Sequence, residues 1–166
     1  MDDFRNRTRV AVSVIFPAYN AGASLKRCLK AVKASAFKDY ELIVVDDGSR
    51  DSTPEIAKRY ADEVFTHARN LGRSHARSNG IRRATGEILV FIDADVVIKP
   101  DALSKIVDYF KGHAETDALT GLLSKEHPNT DYFSQYKNLY MNYIFSRLPE
   151  NVNFLFGSIF AIRRPS

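Results

Sequence analysis

The 166-residue chain is poor in the features that staple or anchor small proteins. It has one cysteine, Cys28. That excludes an internal disulfide and a cysteine-rich zinc site, and leaves a small core residue on a helix as the expected role. No run of apolar residues is long enough to span a membrane. Residues 1–10 are mostly polar and charged, so no signal peptide is expected there, and a reducing, cytoplasmic compartment is expected. The four histidines, His67, His75, His113 and His127, have no metal-ligand spacing among themselves and are expected to stand outside the chemistry. No G-x-G-x-x-G follows an apolar run, which argues against a dinucleotide-binding fold. Lysines and arginines do not alternate with aromatics in a stripe, so no nucleic-acid partner is expected. Internal repeats, low-complexity tracts and clear linkers are missing too, and the length suits one domain.

What is present is an ordinary globular composition, 45% hydrophobic and 27% charged. The net charge of +4 and pI near 9.2 fit an anionic ligand or a phosphate-rich surface. Short β-branched runs alternate with helical patterns. Val10–Phe16 and Tyr40–Val45 read as buried strands, Glu63–Thr66 as a short third and Ile88–Ile92 as a fourth. Between them, Leu25, Cys28, Leu29 and Val32 mark one helix face, with Ser24 as its expected cap. Ser52 or Asp51 is expected to cap the helix entered through Pro54. Helices are also expected over Arg73–Ala84 and Pro100–Phe110, and a fifth strand over Ala118–Leu123. Alternation of this kind implies an α/β fold with a mostly parallel sheet and helices on both faces. The aromatic segment beginning at Tyr132 reads as a helix packed on that sheet, in preference to a membrane-contact or partner face, followed by a strand over Phe154–Ile162.

In such a sheet, ligands sit beyond the carboxyl ends of the strands. Three polar clusters follow strand ends here: Pro17–Asn20, Asp46–Ser49 and Asp93–Asp95. In "FIDADVV", Asp93 and Asp95 share one side of an extended chain. Two such carboxylates can hold a divalent cation that bridges phosphates. In "DDGS", Asp46 and Asp47 can accept hydrogen bonds from a base or ribose, while the same residues also suit an Asp-Gly turn. Tyr19 offers an aromatic face for a base, and Arg77 a positive charge for phosphate or base.

The ordered set "SVIFPAYN", "YELIVVDDGSRDST", "ARNLGRSHARSNGI" and "GEILVFIDADVVIKPDAL" resembles the family 2 glycosyltransferases of the GT-A type, from Val12 to Leu103. "FLFGSIFAIRR" looks like the acceptor-side strand of that family. The resemblance implies a GT-A, Rossmann-like domain. Residues 10–123 would bind a nucleotide-diphosphate sugar, and 124–166 would begin the acceptor side. It implies inverting, metal-dependent sugar transfer with Mn²⁺ or Mg²⁺, to a saccharide or lipid-linked acceptor. Pro17, Ala18 and Tyr19 would surround the base, Asp47 would hydrogen-bond it with Arg77 nearby, Asp93 would contact the ribose or sugar, and Asp95 would bind the metal. Two departures stand out. Ala21 replaces the acidic residue many members carry after "YN", and no Q-x-x-R-W motif exists in a chain without tryptophan. The family's general base is expected beyond Ser166, so the chain is expected to be an N-terminal portion, with membrane association at the cytoplasmic face through segments further on. The alternatives are a donor-binding fragment that transfers nothing, and a haloacid-dehalogenase-like phosphohydrolase with Asp93 as nucleophile.

Overall fold

The structure, a computed structural model, describes residues 10–125, 131–152, 154–155 and 157–164. His127, Phe156 and Ser166 lie outside the described residues. In chain order the elements are β1 (Val12–Ala18), α1 (Leu25–Lys33), β2 (Tyr40–Asp46), α2 (Thr53–Tyr60), β3 (Glu63–Thr66), α3 (Arg73–Arg83), β4 (Ile88–Ile92), α4 (Ala102–Gly112), β5 (Ala118–Thr120), α5 (Tyr132–Phe145) and β6 (Ile159–Arg163). They build one six-stranded sheet in the order β3-β2-β1-β4-β6-β5. The first four strands are parallel, and β6 runs antiparallel to both β4 and β5.

Strand alternation explains the two cores. Val12, Val14 and Phe16 of β1, with Leu42 and Val44 of β2, pack with Leu25, Leu29, Leu103, Val107 and Phe110. Ile15, Ile43 and Val45 point the other way, onto Ala76 of α3, with Leu89 and Phe91 of β4. Both faces of the central strands are thus dry, which is why β1, β2 and β4 read as continuous apolar runs rather than alternating ones. Gly80 lets α3 lie close on β1, because a Cβ there would collide with the Ile15 side chain.

β1 extends two residues further than the sequence suggests, through Pro17. Its pairing with β4 ends at Ile15, so the missing proline N–H removes no bond on that side. The expected side-chain caps at Ser24 and Ser52 do not form. Asp51 instead accepts the Thr53 N–H (3.0 Å) and hydroxyl (2.5 Å), and Ser24 turns back to the Ala21 carbonyl. β5 is three residues long, and the last strand starts at Ile159. The larger difference is α5. Tyr132, Phe133, Tyr136, Leu139, Tyr140 and Tyr143 are exposed, and Asn142 is its buried residue, so this helix does not seat an apolar face on the sheet. Its tyrosines stack along the helix instead, Tyr132 on Tyr136 and Tyr136 on Tyr140. No described helix is long and apolar enough to cross a membrane.

Candidate functional site

The chain winds from β1 outward to β3, then returns to place β4 on the other side of β1. That reversal opens a crevice at the carboxyl ends of β1 and β4. A cleft of about 450 Å³ lies there, bordered by Pro17, Ala18, Tyr19, Asp47, Asp93 and Asp95 among others. All three strand-end clusters of the sequence therefore meet at one place.

The cleft wall after β1 is stitched to the loop after β2. Asn20, at φ 47°, accepts the Arg50 N–H through its side chain and donates its own N–H to Ser49 Oγ. The Ala21 N–H donates to Thr53 Oγ1, and the Gly22 N–H to Asp51 Oδ2. "RDST" thus serves as a brace for "YNAG", and Tyr19 stands half exposed at the cleft.

The two acids of "DDGS" part company. Asp46 is fully buried and turns away, its Oδ1 accepting the Ser49 N–H, and it does not line the cleft. Asp47 lines the cleft although it is itself buried. Its Oδ1 takes the His67 ring nitrogen (2.5 Å) and the Leu71 N–H (2.9 Å), and its Oδ2 takes the Gly72 N–H (2.8 Å). Burial alone would push this carboxyl up, but the bonds from His67, Leu71 and Gly72 outweigh it and hold the group below its ordinary value.

Asp93 is braced by Arg73 (3.3 Å) and Arg77 (3.2 Å). Burial raises its carboxyl above the ordinary value; the two arginines pull it back and the nearby Asp95 adds to the rise. Arg77 does not line the cleft. It lies behind Asp93, donates to the Gly157 carbonyl (2.7 Å) and stacks on Phe160. The Asp93 N–H donates to the Ser158 carbonyl, so the approach to β6 sits beside the same carboxylate. Below the turn, Cys28 Sγ contacts the Ala94 carbonyl. Asp95 is exposed at the rim with no hydrogen bond or ion pair to any described residue.

A divalent ion suits this last feature. Among the described residues no three metal-binding side chains cluster. An exposed carboxylate at the rim of the cleft fits a hard cation that would draw its remaining ligands from ligand oxygens and water. His67, expected from its spacing to stand outside the chemistry, is bonded to the cleft residue Asp47. The sequence signal for it is its place: it follows the end of β3 directly, as the other polar clusters follow theirs.

The family model described as "Glycosyl transferase family 2" matches residues 13–166. The uncharacterized glycosyltransferase YibD of Escherichia coli K12 is 40% identical over 93 residues, 54% of this chain and 27% of its own length. Among solved structures, S. aureus TarS in complex with UDP-GlcNAc is 26% identical with a TM-score of 0.66, covering 73% of this chain and 36% of that one. A mannosyltransferase from Pyrobaculum calidifontis, PcManGT, solved with GDP-Man and Mn²⁺, shares the fold over 95% of this chain and 45% of its own, with 24% identity and a TM-score of 0.74. The chain thus spans between about a quarter and a half of the proteins it is compared with. The expected GT-A fold is the one found.

Proposed function

The chain belongs to glycosyl transferase family 2, and from that premise we propose that its cleft holds the nucleotide-diphosphate sugar for transfer, with inversion, to an acceptor hydroxyl. One observation carries the reading: Tyr19, Asp47, Asp93 and Asp95, which lie on three different loops, line a single crevice at the β1/β4 reversal. Resemblance to TarS, named in complex with UDP-GlcNAc, supports a nucleotide-sugar ligand.

Each residue has a physical task. The Tyr19 ring stacks on the base, and Pro17 and Ala18 give that end its walls. Asp47 accepts a hydrogen bond from the base edge. The diphosphate lies toward the first turn of α3, whose free N–H groups and Arg73 favour negative charge. Asp93, turned by its two arginines, faces the ribose or sugar hydroxyls. Arg77 acts from behind, holding Asp93 rather than touching the base. Asp95 is the carboxylate left for Mn²⁺ or Mg²⁺, and that ion would offset charge on the departing diphosphate. An inverting transfer also needs a base for the acceptor hydroxyl. Asp93 is committed to arginines and Asp95 to the ion, so we assign that base to neither; residues 124–166 contribute the acceptor side, for a saccharide or lipid-linked acceptor.

A phosphohydrolase is disfavoured. Its nucleophile would be Asp93, here ion-paired with Arg73 and Arg77 in the fourth unit of a glycosyltransferase-family sheet. Calorimetric titration of UDP and GDP into the protein, with and without Mn²⁺, tests the reading. Binding of one of them, tightened by Mn²⁺ in the native protein and not in Asp95→Ala, is expected. Binding of neither, or metal dependence that survives in Asp95→Ala, would overturn it or its metal assignment respectively.

A further inference from the structure

His67 makes a chain of contacts whose proton positions can be worked out. Arg82 donates to Asn79 Oδ1 (3.1 Å), and a guanidinium has only donors, so the Asn79 oxygen must face Arg82. The Asn79 Nδ2 then faces His67 Nε2 (2.7 Å) as a donor. His67 Nε2 must accept, so a neutral imidazole carries its proton on Nδ1, and that proton points at Asp47 Oδ1 (2.5 Å). His67 and Asp47 are both buried, and the ring sits edge-on to Phe65.

This fixes what Asp47 has left to offer. A carboxylate accepts about four hydrogen bonds. On Asp47, Oδ1 already takes two donors and Oδ2 takes one, which leaves a single accepting direction on Oδ2 of a residue that lines the cleft. A buried carboxylate with one open direction accepts an N–H, which a base can offer from a ring nitrogen or from an exocyclic amine. Uracil and guanine present an N–H on the ring edge that pairs with another base. Cytosine presents a bare acceptor nitrogen there flanked by an exocyclic amine, so it reaches the open direction only through the amine, with the repelled ring nitrogen beside the carboxylate.

We infer that His67, held by Asn79 as the Nδ1–H tautomer, is a positioning residue that fixes the Asp47 carboxylate to select a donor nucleobase carrying a ring N–H. This rests on the donor-site reading. It goes beyond it by giving the site a selection rule and a residue that enforces it from behind.

The test compares UDP, GDP and CDP binding to the native protein, His67→Phe and His67→Asn, with a melting curve for each. Phenylalanine keeps the ring and loses the donor; asparagine replaces the N–H close to the Nδ1 position. The native protein should bind UDP or GDP at least about tenfold more tightly than CDP, the scale of one hydrogen bond to a charged group. His67→Phe should lose most of that ratio, and His67→Asn should recover it. A structural role alone would weaken all three nucleotides together and leave the ratio intact, which would overturn the inference. Nitrogen NMR of the native histidine rings gives a second reading that needs no variant. A proton on His67 Nδ1 with Nε2 bare is expected; the opposite tautomer, or protons on both, would overturn it. Failure of the native protein to bind either UDP or GDP would instead remove the donor-site reading, and the selection rule with it.

Discussion

Replacing Gly48 by alanine tests how tightly the cleft is assembled. Gly48 follows Asp47 directly and sits at φ +75°, where an L-residue is disfavoured by about 1–2 kcal/mol. Its Cβ would also lie 2.6 Å from the Arg69 carbonyl carbon, 2.8 Å from the Arg69 Cα and 2.9 Å from the Asn70 nitrogen. These are backbone atoms of the loop that delivers the Leu71 and Gly72 N–H groups to Asp47, so no side-chain rotation relieves them. Overpacking against atoms that cannot move costs about 1–3 kcal/mol. The two contributions together give about 2–5 kcal/mol, a large part of an ordinary domain's 5–15 kcal/mol. With a urea slope of about 2 kcal/mol per M, the unfolding midpoint should fall by about 1–2.5 M. Gly112→Ala is the control. It ends α4 with nothing within 4 Å, so it should cost nothing and can gain up to about 1 kcal/mol from helix propensity. Urea unfolding of the three proteins, with nucleotide affinity measured alongside, decides the matter. A Gly48→Ala variant within about 0.5 kcal/mol of the native protein and unchanged in affinity would refute the argument that these loops are wedged together.

Three further expectations follow from the same geometry. Tyr19→Ala should weaken nucleotide binding by the value of one base stack, about 1–3 kcal/mol, while leaving the melting temperature nearly unchanged because Tyr19 is 48% exposed; equal affinity in both proteins would remove Tyr19 from the base site. The pH dependence has two opposed parts. Asp47, held below its ordinary value, contributes stability that is present above the usual carboxylate range and lost as the pH falls through its lowered pKa, whereas Asp93, raised, favours the fold when protonated and loses that contribution as the pH rises through its raised pKa. Asp93→Asn should therefore melt higher than the native protein near neutral pH, the gap closing in acid, and a lower melting temperature near neutrality would contradict the sign. Cys28 is fully buried and burial pushes its thiol up to about 11, so a thiol-reactive dye should label it only as fast as the protein unfolds; rapid labelling of the native protein would mean that the core beneath the Asp93–Asp95 turn is open.

Much of this was legible from local pattern. The continuous apolar runs of β1, β2 and β4 announce strands buried on both faces, and the acids after them announce a ligand edge, because a carboxylate at the end of a dry strand needs a reason to be there. Asp93, Asp95 and Asp47 follow from that pattern, and they line one cleft with Tyr19, the aromatic after β1 whose base role the resemblance implies. The resemblance implies a place for Arg77 near the base; in the structure it pairs with Asp93 and donates to the Gly157 carbonyl, a partner 80 positions away that no local pattern announces. His67 had no signal in spacing, since its partners Asp47 and Asn79 meet it only once β2, β3 and α3 have packed. The α5 tyrosines suggest a helix packed on the sheet and yet stand exposed, because helical spacing of apolar residues says which side they share, not whether anything covers that side.

The measurement that bears most directly on the donor-site account is a crystal structure of the protein grown with Mn²⁺ and whichever of UDP or GDP it binds. The account predicts the base against Tyr19 with a ring N–H on Asp47, the diphosphate at the start of α3, and an anomalous manganese peak at Asp95. A nucleotide bound elsewhere, or a manganese peak away from Asp95 with the diphosphate in the cleft, would contradict it.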